Sequence, residues 1–213
     1  MNDVFAYGLF CFVSLFAMVE PLGVMPVYIS MTSTLSPKQQ RSVARRAVFI
    51  ATMTLLLFAL TGQLIFRFFG ISVNSLKVVG GVIFFLIGYE MLQAKLSTTN
   101  YDEKSAEDHG NDVALTPLGI PMICGPGAIA NVIVNWHEAG GDALKKGALL
   151  VAIVLVMILT LFTLLGARRV ARVLGDQGNK VLLRLMGLIT MVIAVEIFFS
   201  GLKPIVRDMM GIG

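Results

Sequence analysis

Charged residues are scarce in this chain: they make up 14% of its 213 residues, whereas apolar residues make up 56%. A soluble domain carries about 25% charged residues. A chain this poor in charge has more apolar surface than a water-soluble core can hide, so the composition places it in a bilayer. The formal net charge is +4, but Lys and Arg fall in short segments between apolar runs, where they set membrane topology. Nucleic-acid binding is therefore not expected.

Metal ligands and catalytic motifs are also sparse. The chain has two cysteines and two histidines, and none of them has a neighbour at metal-ligand spacing. Cys11 and Cys124 lie in apolar segments, as is typical of small buried residues, and they indicate no disulfide framework. A Walker sequence, Gly-x-Ser-x-Gly and a paired Asp motif are all missing. We therefore expect no enzyme activity, no cofactor and no metal.

Long apolar runs dominate the chain instead. A helix needs about 20 mostly apolar residues to cross a bilayer. The expected fold class is an all-α integral membrane protein. Its predicted spans are residues 4–31, 45–66, 76–96, 113–136, 147–167 and 182–202.

The two halves of the sequence repeat each other. Leu55–Gly62 matches Leu159–Gly166 at a shift of 104 residues. A second set matches at a shift of 106 residues: Leu76, Gly81, Ile83, Ile87 and Glu90 correspond to Leu182, Gly187, Ile189, Ile193 and Glu196. Each half would hold three spans, and an odd number of crossings forces the second half into the membrane upside down. Such inverted repeats are typical of secondary transporters.

This pattern predicts three parts. The first three-helix repeat takes residues 1–98 and the second takes residues 113–213. Residues 99–112 between them are polar and are expected to form a cytoplasmic linker.

Proline and glycine interrupt the first and fourth spans. Glu20–Pro26 interrupts the first, and Gly125–Gly127 interrupts the fourth after Pro117 and Pro121. Proline removes a backbone donor and glycine leaves helical geometry cheaply, so both helices are expected to break in mid-membrane.

Two alignments of these interruptions compete. The colinear one places Pro21 on Pro126, at a shift of 105 residues. A rival alignment places Pro21–Gly23 on Pro117–Gly119, at a shift of 96, and needs a gap before the next matched helix. We prefer the colinear alignment.

The interruptions are the candidate substrate site. Irregular backbone inside a membrane is tolerated only where protein or a water-filled cavity surrounds it, so the two interruptions are expected to face each other. The N-terminal end of a half-helix suits a carboxylate, and a carbonyl end suits an ammonium group or a cation, which together fit a small zwitterion. The candidate substrate-binding residues are Glu20, Pro21, Gly23, Pro26, Gly125, Pro126, Gly127, Ala128 and Asn131.

Three carboxylates are candidates for coupling or gating. Glu20 follows the uncharged stretch Val4–Val19, and an ionised carboxylate at mid-bilayer costs about 2.5–3.5 kcal/mol on insertion scales. We expect it to bind substrate or to carry a coupled proton, unless it only sits in a water-filled vestibule. Glu90 and Glu196 occupy matched places near helix ends, where gating and anchoring at the interface both stay open.

Basic residues predict the orientation. They concentrate on the side of the membrane that would be cytoplasmic, which places both termini outside the cytoplasm. The basic residues of that side are Lys38, Arg41, Arg45, Arg46, Lys95, Lys104, Arg168, Arg169, Arg172, Lys180 and Arg184.

The interrupted segments resemble the MarC family of bacterial inner-membrane proteins. Pro21–Thr32 is similar to the family's first-helix signature, and Pro117–Ile129 to its fourth-helix signature. The resemblance covers nearly the whole chain. Shorter matches are Phe69–Ser72, Gly80–Val82 and Met186–Ile189.

The resemblance implies a six-helix, multi-pass protein of the bacterial inner (plasma) membrane, and in that membrane the charge bias would make both termini periplasmic. It also implies a relation to SnatA-type transporters of small neutral amino acids such as glycine and alanine, driven by an ion or proton gradient. The family commonly has Asn or Asp before Pro21, where this chain has Glu20. The longer acid would change substrate size, coupling or both.

Three functions remain in view. The leading one is a secondary transporter of small neutral amino acids. The alternatives are a channel or efflux pore for a small solute, and a membrane scaffold subunit that transports nothing itself. The expected partners are a small-molecule substrate and the lipid bilayer, and the sequence leaves open whether copies of the chain form a homo-oligomer.

Overall fold

The computed structural model describes residues 2–93 and 114–211, and every regular element in those two ranges is a helix. A run from Ala143 to Met209 is divided by the non-helical Gly175 (φ 65°, ψ −178°) into two arms. The elements are α1 (Asn2–Val19), α2 (Pro21–Met31), α3 (Pro37–Phe69), α4 (Val73–Leu92), the π-helix π1 (Ala114–Ile123), α5 (Pro126–Glu138), α6 (Ala143–Gly175) and α7 (Gln177–Met209).

Five segments of the described residues are long and apolar enough to cross a membrane. They are α3, α4, α6, α7 and Asp3–Met31, which takes in α1 and α2. The expected all-α class is confirmed for the described residues, and five of the six expected spans have a counterpart among these segments. The fourth expected span, 113–136, is not among the five, because π1 and α5 are separate helices of 10 and 13 residues.

Helix ends depart from the ends that hydropathy predicts. α3 begins at Pro37 rather than residue 45, because Ser36 accepts a hydrogen bond from the Gln39 N–H and donates its own N–H to Gln39 Oε1. α6 continues beyond residue 167 to Gly175, which adopts a positive φ. Hydropathy marks the apolar part of a helix, whereas capping and glycine set its ends. Several basic residues expected in loops therefore lie on helical turns: Lys38, Arg41, Arg45, Arg46, Arg168, Arg169 and Arg172.

Glycines hold α4 and α7 close together. A β-carbon on Gly81 would lie 2.6 Å from the Phe198 Cβ and 2.7 Å from the Ala194 carbonyl oxygen, and one on Gly88 would lie 2.8 Å from the Gly187 carbonyl oxygen. Small residues at such crossings let helix backbones approach closely in a membrane.

Large apolar side chains also cover the outer surface. Leu15, Leu55 and Ile153 are fully buried between helices, whereas Leu64 and Phe162 are 72% and 67% exposed. Apolar surface on both sides of a helix is what a lipid-facing bundle requires. The expected linker, 99–112, lies outside the described residues.

Candidate functional site

The first interruption centres on Glu20, between α1 and α2. Its backbone is left-handed (φ 46°, ψ 60°), which is uncommon for a residue with a side chain. The Glu20 N–H donates to the Phe16 carbonyl at 3.1 Å, and the Glu20 carbonyl accepts from Gly23 and Val24 at 2.8 and 3.1 Å. Pro21 has no N–H to offer, so one helix ends here and the next begins.

The second interruption centres on Gly125, between π1 and α5. Gly125 is extended (φ −79°, ψ 167°), and Pro126 occupies the first turn of α5. The first backbone bond of the helix joins the Ile129 N–H to the Gly125 carbonyl at 2.9 Å. The N–H groups of Gly127 and Ala128 precede that bond and are left without an intrahelical acceptor. Both residues are buried, so these donors face the protein interior.

The two interruptions lie close to each other. A β-carbon on Gly127 would lie 3.2 Å from the Met18 Sδ and 3.1 Å from the Ile197 Cδ1. Met18 precedes Glu20 by two residues. On the other side of this turn, a β-carbon on Gly80 would overlap Pro126. The first turn of α5 therefore packs between α1, α4 and α7.

The Glu20 side chain lies over the first turn of α2. A β-carbon on Gly23 would lie 3.4 Å from the Glu20 Oε2, so the carboxylate covers the space that glycine leaves. No hydrogen bond or ion pair joins this carboxylate to another residue of the described chain. Pro21 and Pro26 beside it are buried. A half-buried carboxylate without a protein partner can bind an ammonium group, a cation or a proton.

A buried polar network continues from the second interruption. Asn131 lies one turn after Gly127 and is half-buried, and its Oδ1 accepts a hydrogen bond from the Asn135 Nδ2 at 2.9 Å. The Tyr7 hydroxyl donates to the Asn135 carbonyl oxygen, which ties α1 to α5. Sequence reasoning proposed Asn131 but missed Tyr7 and Asn135. The four-residue spacing of two asparagines in an apolar helix was the available signal.

The remaining candidate residues are placed elsewhere. Glu90 on α4 and Glu196 on α7 are exposed, so neither belongs to the buried surroundings of the two interruptions. Their roles in gating or in anchoring stay predictions. In residues 2–93 and 114–211, no three His, Cys, Asp or Glu side chains come close enough together to hold a metal ion.

The helices and their apolar surfaces define an integral membrane protein that crosses the bilayer several times. Residues 5–206 match the family described as MarC family integral membrane proteins. The chain belongs to the MarC family, as the resemblance predicts.

The chain aligns with curated relatives over nearly their whole length. The chain is 34% identical over 204 residues to the UPF0056 membrane protein YvbG of Bacillus subtilis, covering 94% of this chain and 96% of the relative. It is 34% identical over 193 residues to a UPF0056 membrane protein of Pyrococcus abyssi, covering 90% and 92%. It is 30% identical over 203 residues to the UPF0056 inner membrane protein YhgN of Escherichia coli, covering 95% and 98%. No solved structure matches the chain.

Proposed function

We propose that the protein is a secondary transporter of small neutral amino acids, of the size of glycine or alanine, coupled to protons or another ion. Transport would proceed by rocking two inverted three-helix repeats about the two interruptions. The observation that supports this proposal best is that the first turn of α5 packs against the end of α1, at interruptions that the colinear alignment matches. Pro21 and Pro126 both begin their helices, and the turn that follows Pro126 contacts Met18.

The contacts between α4 and α7 support the inverted repeat. In the alignment of the two halves at a shift of 106 residues, Gly81 corresponds to Gly187 and Gly88 corresponds to Ala194. The close approach of Gly81 to Ala194 thus corresponds to the close approach of Gly187 to Gly88, and both contacts exist. A contact set that maps onto itself is what a pseudo-twofold axis between two repeats produces.

A difference between matched contacts supports alternating access. A β-carbon on Gly62 of α3 would lie 2.6 Å from the Ile133 Cγ1 of α5. The matched residues are Gly166 of α6 and Tyr28 of α2, at shifts of 104 and 105. A β-carbon on Gly166 would meet nothing within 4 Å, and Gly166 and Tyr28 both line a cavity of about 420 Å³. The same contact is closed in one half and open in the other, as a rocking mechanism requires.

The chemistry of the site suits a small zwitterion. The Glu20 carboxylate, which has no partner among the described residues, would take the ammonium group or the coupled proton. The N–H groups of Gly127 and Ala128, which have no intrahelical acceptor, would take the carboxylate, because a helix N-terminus favours an anion. A β-carbon on Gly127 would already lie 3.1 Å from the Ile197 Cδ1 and 3.2 Å from the Met18 Sδ. Little volume is left there for a substrate side chain, so we expect selectivity for glycine and alanine over leucine.

Uptake by purified protein in proteoliposomes tests the proposal. Radiolabelled glycine, alanine, serine and leucine are offered with and without a pH gradient. We expect glycine and alanine to accumulate above their external concentration when a gradient is present. Equilibration without accumulation would indicate a channel, because a channel cannot concentrate its solute. No uptake of any of the four would leave the scaffold subunit as the better account.

A further inference from the structure

The cavity beside Gly166 is lined by basic side chains from two helices. Its volume is about 420 Å³, and it lies between α2, α3 and α6. Arg41 of α3 lines one wall, and Arg168, Arg169 and Arg172 of α6 line the other. Among the described residues that line it there is no Asp or Glu. Arginines about 130 residues apart in the sequence thus line one cavity.

Hydrogen bonds fix the wall that carries Arg41. The Tyr28 hydroxyl donates to the Gln40 carbonyl oxygen at 2.8 Å. The Gln40 Nε2 donates to the carbonyl oxygens of Thr32 and Leu35, at 2.8 and 3.2 Å. The turn between α2 and α3 is therefore tied to the first turns of α3, next to Arg41.

The four arginines have no acidic partner within the described part of the chain. All four are exposed. Cations in the last turn of a helix are favoured by its dipole, which accounts for Arg172 near the end of α6 but not for Arg168 or Arg169, which lie further from that end. The dipole does not account for Arg41, which lies near the positive N-terminal end of α3. Like charges gathered there repel each other unless an anion joins them, so the cavity has the electrostatics of an anion site.

The position of the cavity indicates a lipid anion. The arginines follow the apolar part of α6 and precede the apolar part of α3, so they lie at the edge of the membrane-spanning region. Phe162 also lines the cavity and is 67% exposed. Basic pockets between membrane helices are suited to phosphate headgroups, because guanidinium groups bind phosphate oxygens in a bidentate manner. A ligand with a phosphate next to an acyl chain would satisfy both the arginines and Phe162.

We propose that this cavity binds the phosphate headgroup of an anionic phospholipid. The cavity is separate from the proposed substrate site, because none of its lining residues is a candidate substrate-binding residue. The proposal does not depend on whether the protein transports amino acids.

Lipid binding to the purified chain in a neutral detergent provides the test. Phosphatidylglycerol is titrated and the singly loaded protein is counted by native mass spectrometry, with phosphatidylcholine as the zwitterionic comparison. The double variant Arg168→Gln/Arg172→Gln removes two charges from the cavity. The control Arg45→Gln/Arg46→Gln removes two exposed charges from α3 that do not line it. Arg41→Gln tests the opposite wall separately, in case the double variant fails to fold.

We expect one tightly bound phosphatidylglycerol and no comparable phosphatidylcholine. A hydrogen bond to a charged group contributes about 1.5–3 kcal/mol, so we expect affinity to fall at least tenfold in the Arg168→Gln/Arg172→Gln variant. Arg41→Gln should also weaken binding. The Arg45→Gln/Arg46→Gln control should stay within about threefold of the wild type, because neither residue lines the cavity and so neither can hydrogen-bond a phosphate held there.

Three results would overturn the proposal. The first is equal losses in the cavity variants and the control. The second is displacement of the lipid by millimolar inorganic phosphate, which would identify a site for the free ion. The third is binding that appears only after Asp102, Glu103, Glu107, Asp108 and Asp112 are neutralised, because the chain's own carboxylates would then be the natural occupants.

Discussion

Substitution of Gly166 by alanine separates a rocking transporter from a static one. In the described state a β-carbon on Gly166 meets nothing within 4 Å, so Gly166→Ala is expected to fold normally. In the opposite state Tyr28 would pack on Gly166 as Ile133 packs on Gly62. A β-carbon on Gly62 would lie 2.6 Å from the Ile133 Cγ1. In the opposite state we expect the added methyl group on residue 166 to come about as close to Tyr28.

The size of the effect follows from that contact. Inserting a methyl group into a well-packed interface costs about 1–3 kcal/mol. A penalty of that size, confined to one of two states, lowers the population of that state by about 5- to 150-fold. The gain in helix propensity from Gly to Ala applies to both states and cancels. Initial rates of alanine uptake into proteoliposomes should therefore fall at least fivefold, while the thermal unfolding temperature in detergent should not fall.

Gly147→Ala is the matched control. It lies on the same helix, and a β-carbon there also meets nothing within 4 Å. Its counterpart at a shift of 104 is Val43, which is buried, so the matched position already accommodates a side chain. We expect Gly147→Ala to transport like the wild type. Equal uptake by Gly166→Ala and Gly147→Ala would refute the closing of Tyr28 onto Gly166.

Four further predictions follow. Glu20→Gly should raise the thermal unfolding temperature, because glycine removes about 1–2 kcal/mol of the strain of a left-handed backbone. The same variant should lose uptake, and retained uptake would show that the carboxylate is dispensable. Glu20→Gln, which cannot exchange a proton, should abolish uptake or flatten its pH dependence, and a wild-type pH profile would exclude a role in coupling. Gly80→Ala should lower the unfolding free energy by about 1–3 kcal/mol, because the methyl would overlap Pro126; unchanged stability in a denaturation series would contradict the packing. Ser36→Ala removes the cap bond to Gln39 and should cost about 1 kcal/mol in the same series, so an unchanged midpoint would count against the capping box.

Hydropathy located the membrane segments because burial in lipid depends on composition summed over about 20 residues. It misplaced the start of α3, because that start depends on Ser36 and Gln39 rather than on apolar content. It also counted 113–136 as one span, whereas the described part of that range consists of π1 and α5. Local hydrogen bonding, which a window average cannot detect, accounts for both differences.

The interruptions at Pro21 and Pro126 could be predicted from the sequence, because proline disrupts the helix at its own position whatever surrounds it. Contacts between distant residues left no such local signal. The hydrogen bond from Tyr7 to the Asn135 carbonyl joins residues 128 positions apart. The convergence of Arg41 with Arg168 on one cavity depends likewise on how α3 and α6 pack. Composition cannot indicate either arrangement.

Paired spin-label distances test the central claim most directly. One label pair occupies Ser33 and Arg168, beside the open contact. The matched pair, at shifts of 105 and 104, occupies Glu138 and Leu64 beside the closed one. All four positions are exposed. On addition of alanine and a pH gradient, the account predicts a population in which the first distance shortens while the second lengthens. Two distances that stay fixed, or that change in the same direction, would contradict it.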